Sequence, residues 1–346
     1  MSKWNLLIIL SVLLFSCRNN QDVAKLDETI YVRSQGSDMP VHIHGNLNSK
    51  VLLLMVHGGP GGSGLDYRAG KYTVPLEQRF AVAYWDQRGQ GMSHGKYNSE
   101  AMTLDQMCKD LDAVIQVLQA KYGDSIKTVV LGHSWGGMLT ANYMINENNQ
   151  KKISGWIEAN GAHDIPQLNK DAIQMFKEVA DEQINEGNNV SNWKDVLTWA
   201  QAIDTNNITA DISYEINLKA YQAEEWLIDD GVMAYPEPGG NKVPFLAGPV
   251  NPLVSFLSGN LTNSLLLDEI ERTALTKELH KVTVPTLILW GKYDFVVPPS
   301  LGWDTYHSIS STDKEIVLFE QSGHSPMSNE WEAFSEAIIS FIEKLE

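Results

Sequence analysis

One serine stands among glycines in a pattern typical of an acyl-transfer nucleophile. Ser134 lies in the run Gly-His-Ser-Trp-Gly at 132–136, after the apolar stretch 126–131 and before a helix-like run at 138–145. A strand, a glycine-flanked serine and a helix together are the context of a nucleophile elbow. The glycines permit a sharp turn, and the N–H groups that begin the helix face any negative charge that forms nearby. The pattern therefore predicts that Ser134 attacks an acyl carbon.

A serine nucleophile needs a base and a third group that orients the base. Asp294 follows the apolar stretch 284–290, and His324 follows the apolar stretch 316–319. Both residues would lie at the carboxyl ends of late strands, in the order nucleophile, acid, base. We predict a catalytic triad of Ser134, Asp294 and His324. The alternatives are a turn or capping role for the aspartate and a purely structural role for the histidine.

The oxyanion that forms during acyl transfer needs fixed hydrogen-bond donors. The backbone N–H of Trp135, directly after the nucleophile, is one candidate. The second is the N–H of Gly59, in the glycine-rich loop His-Gly-Gly-Pro-Gly-Gly at 57–62 that follows the apolar stretch 51–56. A plain glycine-rich turn is the alternative interpretation of this loop. We predict no metal and no organic cofactor for this chemistry.

The hydrophobic pattern predicts which elements position these residues. Apolar strand-like stretches alternate with helix-like stretches up to about residue 159, which favours a doubly wound, mostly parallel α/β sheet. Strand signals at 30–33 and 41–44 predict an antiparallel pair at its start. The segment 165–279 is instead helix-like, and strand signals resume after it. We therefore expect one core, formed by 29–164 and 280–346, with a helical cap inserted at 165–279.

The N-terminus has the features of an export signal. Lys3 precedes an apolar run at 6–15, which is too short to span a bilayer. The run ends in Leu-Phe-Ser-Cys, which resembles the lipobox of bacterial lipoproteins. The resemblance implies a signal peptide at 1–16, acylation of Cys17 and a tether over 17–28. The protein would then be lipid-anchored on the exported, periplasmic or outer, side of a bacterial cell envelope. A soluble secreted or periplasmic protein is the alternative.

The charge of the chain limits its partners. It has 26 Lys and Arg against 43 Asp and Glu, a formal net charge of −17. Because nucleic-acid phosphates select basic surfaces, this balance argues against a nucleic-acid partner. The charge is compatible with a cationic substrate, and the oligomeric state stays open.

Three motifs carry a specific resemblance. The run His-Gly-Gly-Pro-Gly-Gly at 57–62, the run Asp-Gln-Arg-Gly-Gln-Gly-Met-Ser at 86–93 and the Ser-Trp-Gly elbow together resemble the proline iminopeptidase family of α/β-hydrolases. The resemblance implies an α/β-hydrolase core with a helical cap, and release of N-terminal residues, often proline, from peptides. One departure leaves the substrate open, because His133 stands where that family commonly has glycine. Gly-His-Ser is frequent in esterases. We expect Asp86 and Arg88 to hold their loop rather than to react.

An aminopeptidase must bind the free ammonium of its substrate, and in the resembled family acidic cap residues do so. Glu224, Glu225 and Trp226 are the candidates, since a carboxylate beside an aromatic ring suits a cation and a proline ring. We take Glu225 as the leading candidate. The alternative is an exposed acidic helix face.

The sequence thus predicts a membrane-anchored serine hydrolase, most simply an aminopeptidase acting on small peptides. A carboxylesterase or lipase-like enzyme with the same triad is the first alternative. A non-catalytic binding lipoprotein is the second.

Overall fold

The chain folds into alternating strands and helices. The computed structural model describes residues 25–96, 98–123, 125–243 and 252–345. The expected signal peptide, Cys17 and most of the tether lie outside these ranges. Among the described residues, no helix combines the length and the apolar character that crossing a membrane requires.

Nine strands of the described chain form one sheet. Their bounds are β1 Lys25–Ser34, β2 Ser37–Asn46, β3 Val51–Val56, β4 Ala81–Trp85, β5 His94–Gly95, β6 Lys127–His133, β7 Gly155–Ala159, β8 Thr286–Gly291 and β9 Lys314–Phe319. The strand order is β1-β2-β4-β3-β6-β7-β8-β9, and β5 pairs with β2. All neighbours from β4 to β9 in this order are parallel. The prediction of a doubly wound, mostly parallel sheet is confirmed.

The antiparallel part of the sheet lies at one edge. β1 pairs with β2 in a hairpin, and β2 joins the parallel part by pairing antiparallel with β4. β1 begins at Lys25, so the last four residues that we assigned to a tether, 25–28, are paired in the sheet instead. The pairing explains this difference, because the alternation of exposed and half-buried residues along β1 continues back to Lys25.

Helices cover both faces of the sheet. Their bounds are α1 Gly64–Arg68, α2 Thr73–Arg79, α3 Leu104–Tyr122, α4 Trp135–Met144, α5 Glu147–Gln150, α6 Ile165–Glu186, α7 Val190–Ala202, α8 Ala210–Asp229, α9 Pro252–Ile270, α10 Pro299–Ser308, α11 Pro326–Asn329 and α12 Trp331–Lys344. Apolar residues of α3, α4 and α10 pack on one face of the sheet, and those of α2 and α12 pack on the other. Because both faces are covered, strands such as β3 are buried along their whole length.

The segment between β7 and β8 folds as a helical layer of its own. Helices α6, α7 and α8 share an apolar core that includes Phe176, Trp193 and Leu227 and also takes in Phe295 from the loop after β8. The chain enters this layer beside the point where it leaves, since Ile165 N donates to Thr273 O at 2.9 Å. The cap is therefore held to the core at the same edge of the sheet where strands β6 and β8 end.

Candidate active site

The turn between β6 and α4 carries Ser134 in a strained conformation. Its φ angle is +55°, a region that non-glycine residues seldom adopt. The turn is tightly packed, because a Cβ on Gly132 would lie 2.3 Å from Gly136 O, and one on Gly136 would lie 2.0 Å from Val56 O. Two positions of the motif therefore require glycine so that α4 can approach β3 and β6. The result is a serine at the tip of a sharp strand-to-helix turn, the geometry of a nucleophile elbow.

The three residues of the expected triad are in hydrogen-bond contact. His324 Nε2 lies 3.0 Å from Ser134 Oγ. His324 Nδ1 lies 3.0 Å from Asp294 Oδ2 and 3.1 Å from Oδ1. With the carboxylate accepting the Nδ1 proton, Nε2 is free to accept the serine proton. Burial by itself lowers the pKa of His324, but the charge and hydrogen bond of Asp294 outweigh it and raise the pKa above its ordinary value.

Asp294 is fixed by donors besides the histidine. Val297 N donates to Asp294 Oδ1 at 2.7 Å, and Asn160 Nδ2 donates to Oδ2 in a short hydrogen bond. Asn160 directly follows β7 and has a φ angle of +47°. This residue was not among the predicted site residues. Its signal was a polar amide at the carboxyl end of a buried strand, one strand away from the nucleophile.

The two expected oxyanion donors lie beside Ser134. Gly59 and Trp135 line the same cavity as the serine, a space of about 390 Å³ between the core and the cap. Within the described part of the chain, neither backbone N–H donates to a protein acceptor. Gly59 has a φ angle of +126°, which favours glycine at this turn of the loop. Two free N–H groups beside a nucleophile are what an oxyanion hole requires.

The run 86–93 supports the glycine-rich loop from behind. Asp86 Oδ1 accepts hydrogen bonds from Ser63 Oγ at 3.0 Å and from Gly64 N at 2.7 Å. Gln90 Oε1 accepts one from Gly61 N at 2.6 Å. These contacts agree with the expectation that Asp86 holds a loop. A third donor, Met92 N, reaches Asp86 Oδ2 at 2.7 Å. Burial raises the pKa of Asp86 to about 6, although the three donors act in the opposite direction.

Two further residues of this run connect the site to the core. Gln87 Oε1 accepts a hydrogen bond from the indole Nε1 of Trp135 at 2.9 Å, so the ring after the nucleophile has a fixed orientation. Arg88 forms a fully buried ion pair with Asp110, with Nε 2.6 Å from Oδ2. Both residues lie beneath the site rather than in the cavity, as we expected of Arg88.

His133, which precedes the nucleophile, is buried and has two partners. Its Nδ1 lies 2.6 Å from Tyr67 Oη, and its Nε2 lies 2.9 Å from the backbone oxygen of His324. Tyr67 Oη in turn accepts a hydrogen bond from Gly58 N at 2.8 Å. Burial lowers the pKa of His133 to about 3, so the ring is neutral near pH 7.

The cap brings Glu224 to the triad. Its Oε2 accepts a hydrogen bond from the backbone N–H of His324 at 3.0 Å, and its Oε1 accepts one from Phe295 N at 3.2 Å. Burial, together with the nearby negative charge of Asp294, raises the pKa of Glu224 to about 8. The side chain therefore spans from helix α8 to the two loops that carry the acid and the base.

The other two cap candidates lie elsewhere. Glu225 is exposed, and it makes no hydrogen bond or ion pair with another described residue. Trp226 packs edge-to-face against Trp193 at 5.2 Å, inside the cap. Successive residues of a helix point about 100° apart, so only one of two adjacent glutamates faces the triad.

The cavity beside Ser134 has mixed walls. Apolar side chains line much of it, among them Leu168, Ile216 and Val296, and it also exposes the carboxylate of Glu271. Glu271 Oε1 accepts a hydrogen bond from Ser213 Oγ at 3.0 Å, and burial raises the pKa of this carboxyl. Glu271 was not among the predicted site residues, because nothing in its local pattern distinguishes it from the other acidic residues of the cap.

The sheet, the elbow and the arrangement of Ser134, His324 and Asp294 define the class. The protein is an α/β-hydrolase with an inserted helical cap.

The comparisons with known proteins extend this assignment to a family. The serine aminopeptidase family S33 matches residues 48–230 and 255–332, more than half of the chain. The chain belongs to this family. Its resemblance to proline iminopeptidases, inferred from three motifs, is confirmed.

Two curated relatives cover most of the chain. It is 27% identical over 293 residues to the probable aminopeptidase YbaC of Bacillus subtilis, spanning 83% of this chain and 87% of that one. It is 26% identical over 305 residues to a proline iminopeptidase of Saccharolobus solfataricus, spanning 85% of each.

Solved structures share the fold with several kinds of hydrolase. An esterase of Exiguobacterium antarcticum aligns with a TM-score of 0.58 at 20% identity, covering 92% of this chain and 100% of that one. A proline iminopeptidase-related protein of Thermus thermophilus aligns with a TM-score of 0.58 at 18% identity, covering 92% of this chain and 98% of that one. At these identities the likeness concerns the fold alone.

Proposed function

We propose that the protein is a serine aminopeptidase that releases N-terminal proline or another small, apolar residue from peptides. Ser134 Oγ attacks the carbonyl carbon of the first residue while His324 Nε2 accepts the serine proton. The N–H groups of Gly59 and Trp135 bind the oxyanion. His324 then gives its proton to the leaving amine, which leaves an acyl-enzyme. Water, activated by the same histidine, releases the amino acid.

The position of Glu224 carries the proposal. Its carboxylate accepts from the backbone N–H of His324, and the carboxylate of Asp294 contacts the imidazole, so two carboxylates lie beside one residue. The pKa of Glu224, raised to about 8 by burial and by Asp294, means that its negative charge is poorly compensated. A substrate ammonium supplies the missing positive charge and has free lone pairs on the carboxylate to bind. A neutral ester offers neither benefit.

Glu271 supports the same substrate class. It lines the cavity that contains Ser134, and its side chain is half-buried. A partly desolvated carboxylate attracts a cation more strongly than one in bulk water. The apolar residues between Ser134 and Glu271 suit a proline ring or an aliphatic side chain.

The proposal is tested with one probe and two substrates. A fluorophosphonate probe should label the wild-type protein at Ser134, and Ser134→Ala should abolish both labelling and turnover. Proline p-nitroanilide should then be hydrolysed. Short acyl p-nitrophenyl esters should have a higher kcat/KM only by the factor that their greater chemical reactivity explains. An advantage for the esters of several orders of magnitude beyond that reactivity overturns the aminopeptidase assignment.

An esterase is the second candidate, because the walls of the cavity are apolar over much of their area. The lining includes Leu267 and Ile270 of α9 and Met138 of α4. An acyl chain would contact these side chains without using either glutamate. The esterase assignment therefore predicts that Glu271→Gln leaves ester hydrolysis nearly unchanged.

We also propose that the protein is exported and anchored through an acylated Cys17. The support is the sequence alone: an apolar run at 6–15 followed by the lipobox-like Leu-Phe-Ser-Cys at 14–17. Two or more acyl chains suffice for stable anchoring. Growth with an alkyne-tagged fatty acid should label the wild-type protein, and Cys17→Ala should remove the label. Equal labelling of both would exclude Cys17 as the anchor.

A further inference from the structure

A chain of hydrogen bonds runs behind Ser134 from the glycine-rich loop to the loop of the base. Gly58 N–H donates to Tyr67 Oη at 2.8 Å, and Tyr67 Oη lies 2.6 Å from His133 Nδ1. On the far side of the ring, His133 Nε2 lies 2.9 Å from the backbone oxygen of His324. Four groups that are distant in sequence are thus joined by three contacts.

The polarity of the chain follows from its two ends. A backbone carbonyl oxygen only accepts, so His133 must carry its proton on Nε2 to donate to His324 O. His133 Nδ1 is then an acceptor, and the Tyr67 hydroxyl donates to it. Tyr67 Oη keeps a lone pair for the N–H of Gly58. Because all the donors point in one direction, the three bonds strengthen one another.

The chain of hydrogen bonds ends at the two loops on which the proposed catalysis depends. At one end, Gly58 precedes Gly59, whose N–H is the proposed oxyanion donor. At the other end, the backbone of His324 is held on both sides, since Glu224 accepts from its N–H at 3.0 Å while His133 donates to its carbonyl. The imidazole rings of His133 and His324 lie 4.9 Å apart between centroids.

The space around the chain is filled. A Cβ on Gly58 would lie 2.9 Å from Tyr67 Oη, 3.1 Å from Ser134 Cβ and 3.2 Å from His133 Nδ1. The oxyanion loop, the nucleophile and the two side chains therefore touch one another. We therefore expect that a displacement of one member would shift its neighbours.

We propose that His133, together with Tyr67, is a positioning residue that holds the base loop and the oxyanion loop in register around Ser134. The inference rests on the proposed function, because it assumes that Ser134 reacts through His324. It also assigns a role to the residue at which this elbow departs from the Gly-Gly-Ser of proline iminopeptidases. Glycine there has no side chain to reach either loop.

Two substitutions of His133 separate hydrogen bonding from packing. His133→Leu fills a similar volume and removes both hydrogen bonds. His133→Gln keeps one amide donor for His324 O and one amide acceptor for Tyr67. Because misplacing a reacting group by 1 Å costs up to about 100-fold, we expect His133→Leu to lower kcat by about 10- to 100-fold with KM changed less than about threefold. His133→Gln should recover most of the rate.

Tyr67→Phe tests the other half of the chain and has a matched control. Tyr72→Phe also removes a buried hydroxyl, and this hydroxyl has no hydrogen-bond partner among the described residues. We expect Tyr67→Phe to lower kcat by about tenfold and Tyr72→Phe by less than about twofold, in line with one lost positioning contact. If the three hydrogen bonds act as a unit, the kcat of the double variant with His133→Leu and Tyr67→Phe should be no more than about threefold below that of His133→Leu alone.

The decisive measurements are the rate of fluorophosphonate labelling at Ser134 and the pH dependence of kcat/KM, each on variants whose thermal unfolding shows that they fold. In His133→Leu, labelling should slow by about the same factor as kcat. The acidic limb of the kcat/KM profile of this variant should move to lower pH, because a loosened His324–Asp294 contact raises the pKa of His324 less. His133→Gln should leave the limb in place. Loss of stability alone does not move this limb.

The outcomes separate the two proposals. If the wild type is not labelled at Ser134, the proposed serine mechanism fails. If the wild type is labelled, and His133→Leu is labelled as fast with an unchanged acidic limb, the positioning role fails and the mechanism stands. The positioning role also fails if His133→Gln is as impaired as His133→Leu, because hydrogen bonding would then not be what the histidine contributes.

Discussion

Replacing Glu224 by glutamine removes a charge beside the triad with little change in shape. Glu224 accepts hydrogen bonds from the N–H groups of His324 and Phe295. The amide of glutamine accepts only one of them and turns its NH₂ toward the other. The substitution therefore has two effects: a disturbance of the base loop that every substrate experiences, and the loss of a negative charge that only a cationic substrate experiences.

The second effect has a predictable size. A hydrogen bond to a charged group contributes about 1.5–3 kcal/mol to binding. At about 1.36 kcal/mol for each factor of ten, its loss lowers kcat/KM by about 10- to 150-fold. We expect Glu224→Gln to lower kcat/KM for proline p-nitroanilide by this factor beyond its effect on p-nitrophenyl acetate.

The assay is the ratio of the two kcat/KM values, measured at several pH values in wild type, Glu224→Gln and Glu225→Gln. Because the pKa of Glu224 is raised to about 8, the carboxyl gains its negative charge as the pH rises toward 8. The wild-type ratio should therefore rise over this range, until the substrate ammonium loses its proton at higher pH. Glu224→Gln should show a flat ratio. Glu225→Gln, at an exposed neighbouring position, should follow the wild type.

Two results would refute this reasoning. If Glu224→Gln lowers both kcat/KM values equally, Glu224 only supports the base loop. If Glu225→Gln lowers the ratio instead, the exposed glutamate binds the ammonium, as the sequence first suggested.

Three further predictions follow from the same geometry. Ester hydrolysis should fall as the pH drops through the raised pKa of His324, because the imidazolium cannot accept the serine proton. Asp294→Asn removes the charge that raises this pKa, so the acidic limb of any residual activity should move to lower pH. If this limb does not move, it belongs to another titrating group. Asn160→Leu removes a donor to Asp294 and should lower kcat by about tenfold with a smaller effect on KM; an effect confined to KM would contradict a role in orienting the acid. Arg88→Leu leaves the carboxylate of Asp110 buried and unpaired, and should lower the free energy of unfolding in urea by about 3–5 kcal/mol, whereas a loss below about 1 kcal/mol would mean that water reaches the pair.

Much of the fold could be predicted because its signals are local. The N-cap of α3 is one example, since Thr103 Oγ1 accepts a hydrogen bond from Gln106 N at 3.2 Å. The apolar period of α12 is another, and it places Phe334, Ile338 and Phe341 on one buried face. The predicted bounds of the strands were less accurate. One example is β1, which extends back to Lys25 only through its pairing with β2.

The candidate site also has a part that the sequence predicts and a part that it does not. The motif around Ser134 and the positions of Asp294 and His324 after late strands could be predicted, because parallel strands bring their carboxyl ends to one edge of the sheet. The partners of these residues could not. Asn160 reaches Asp294 across 134 positions of the sequence. Its position at the end of a buried strand does not reveal that Asp294 is its partner.

The sequence by itself thus determined the candidate chemistry: a serine in a glycine-flanked turn with one N–H donor after it, an acid and a base in the right order, and a glycine-rich loop with a second N–H donor. Only the tertiary structure decided which cap carboxylate faces that chemistry and what His133 does. Glu224 and Glu225 are adjacent residues of the same type, so the sequence does not distinguish them. The packing of α8 against the loops after β8 and β9 directs Glu224 inward and Glu225 to solvent. His133 gains its role from Tyr67 and His324, 66 and 191 positions away. Contacts at such separations depend on how whole elements pack, which a local pattern does not encode.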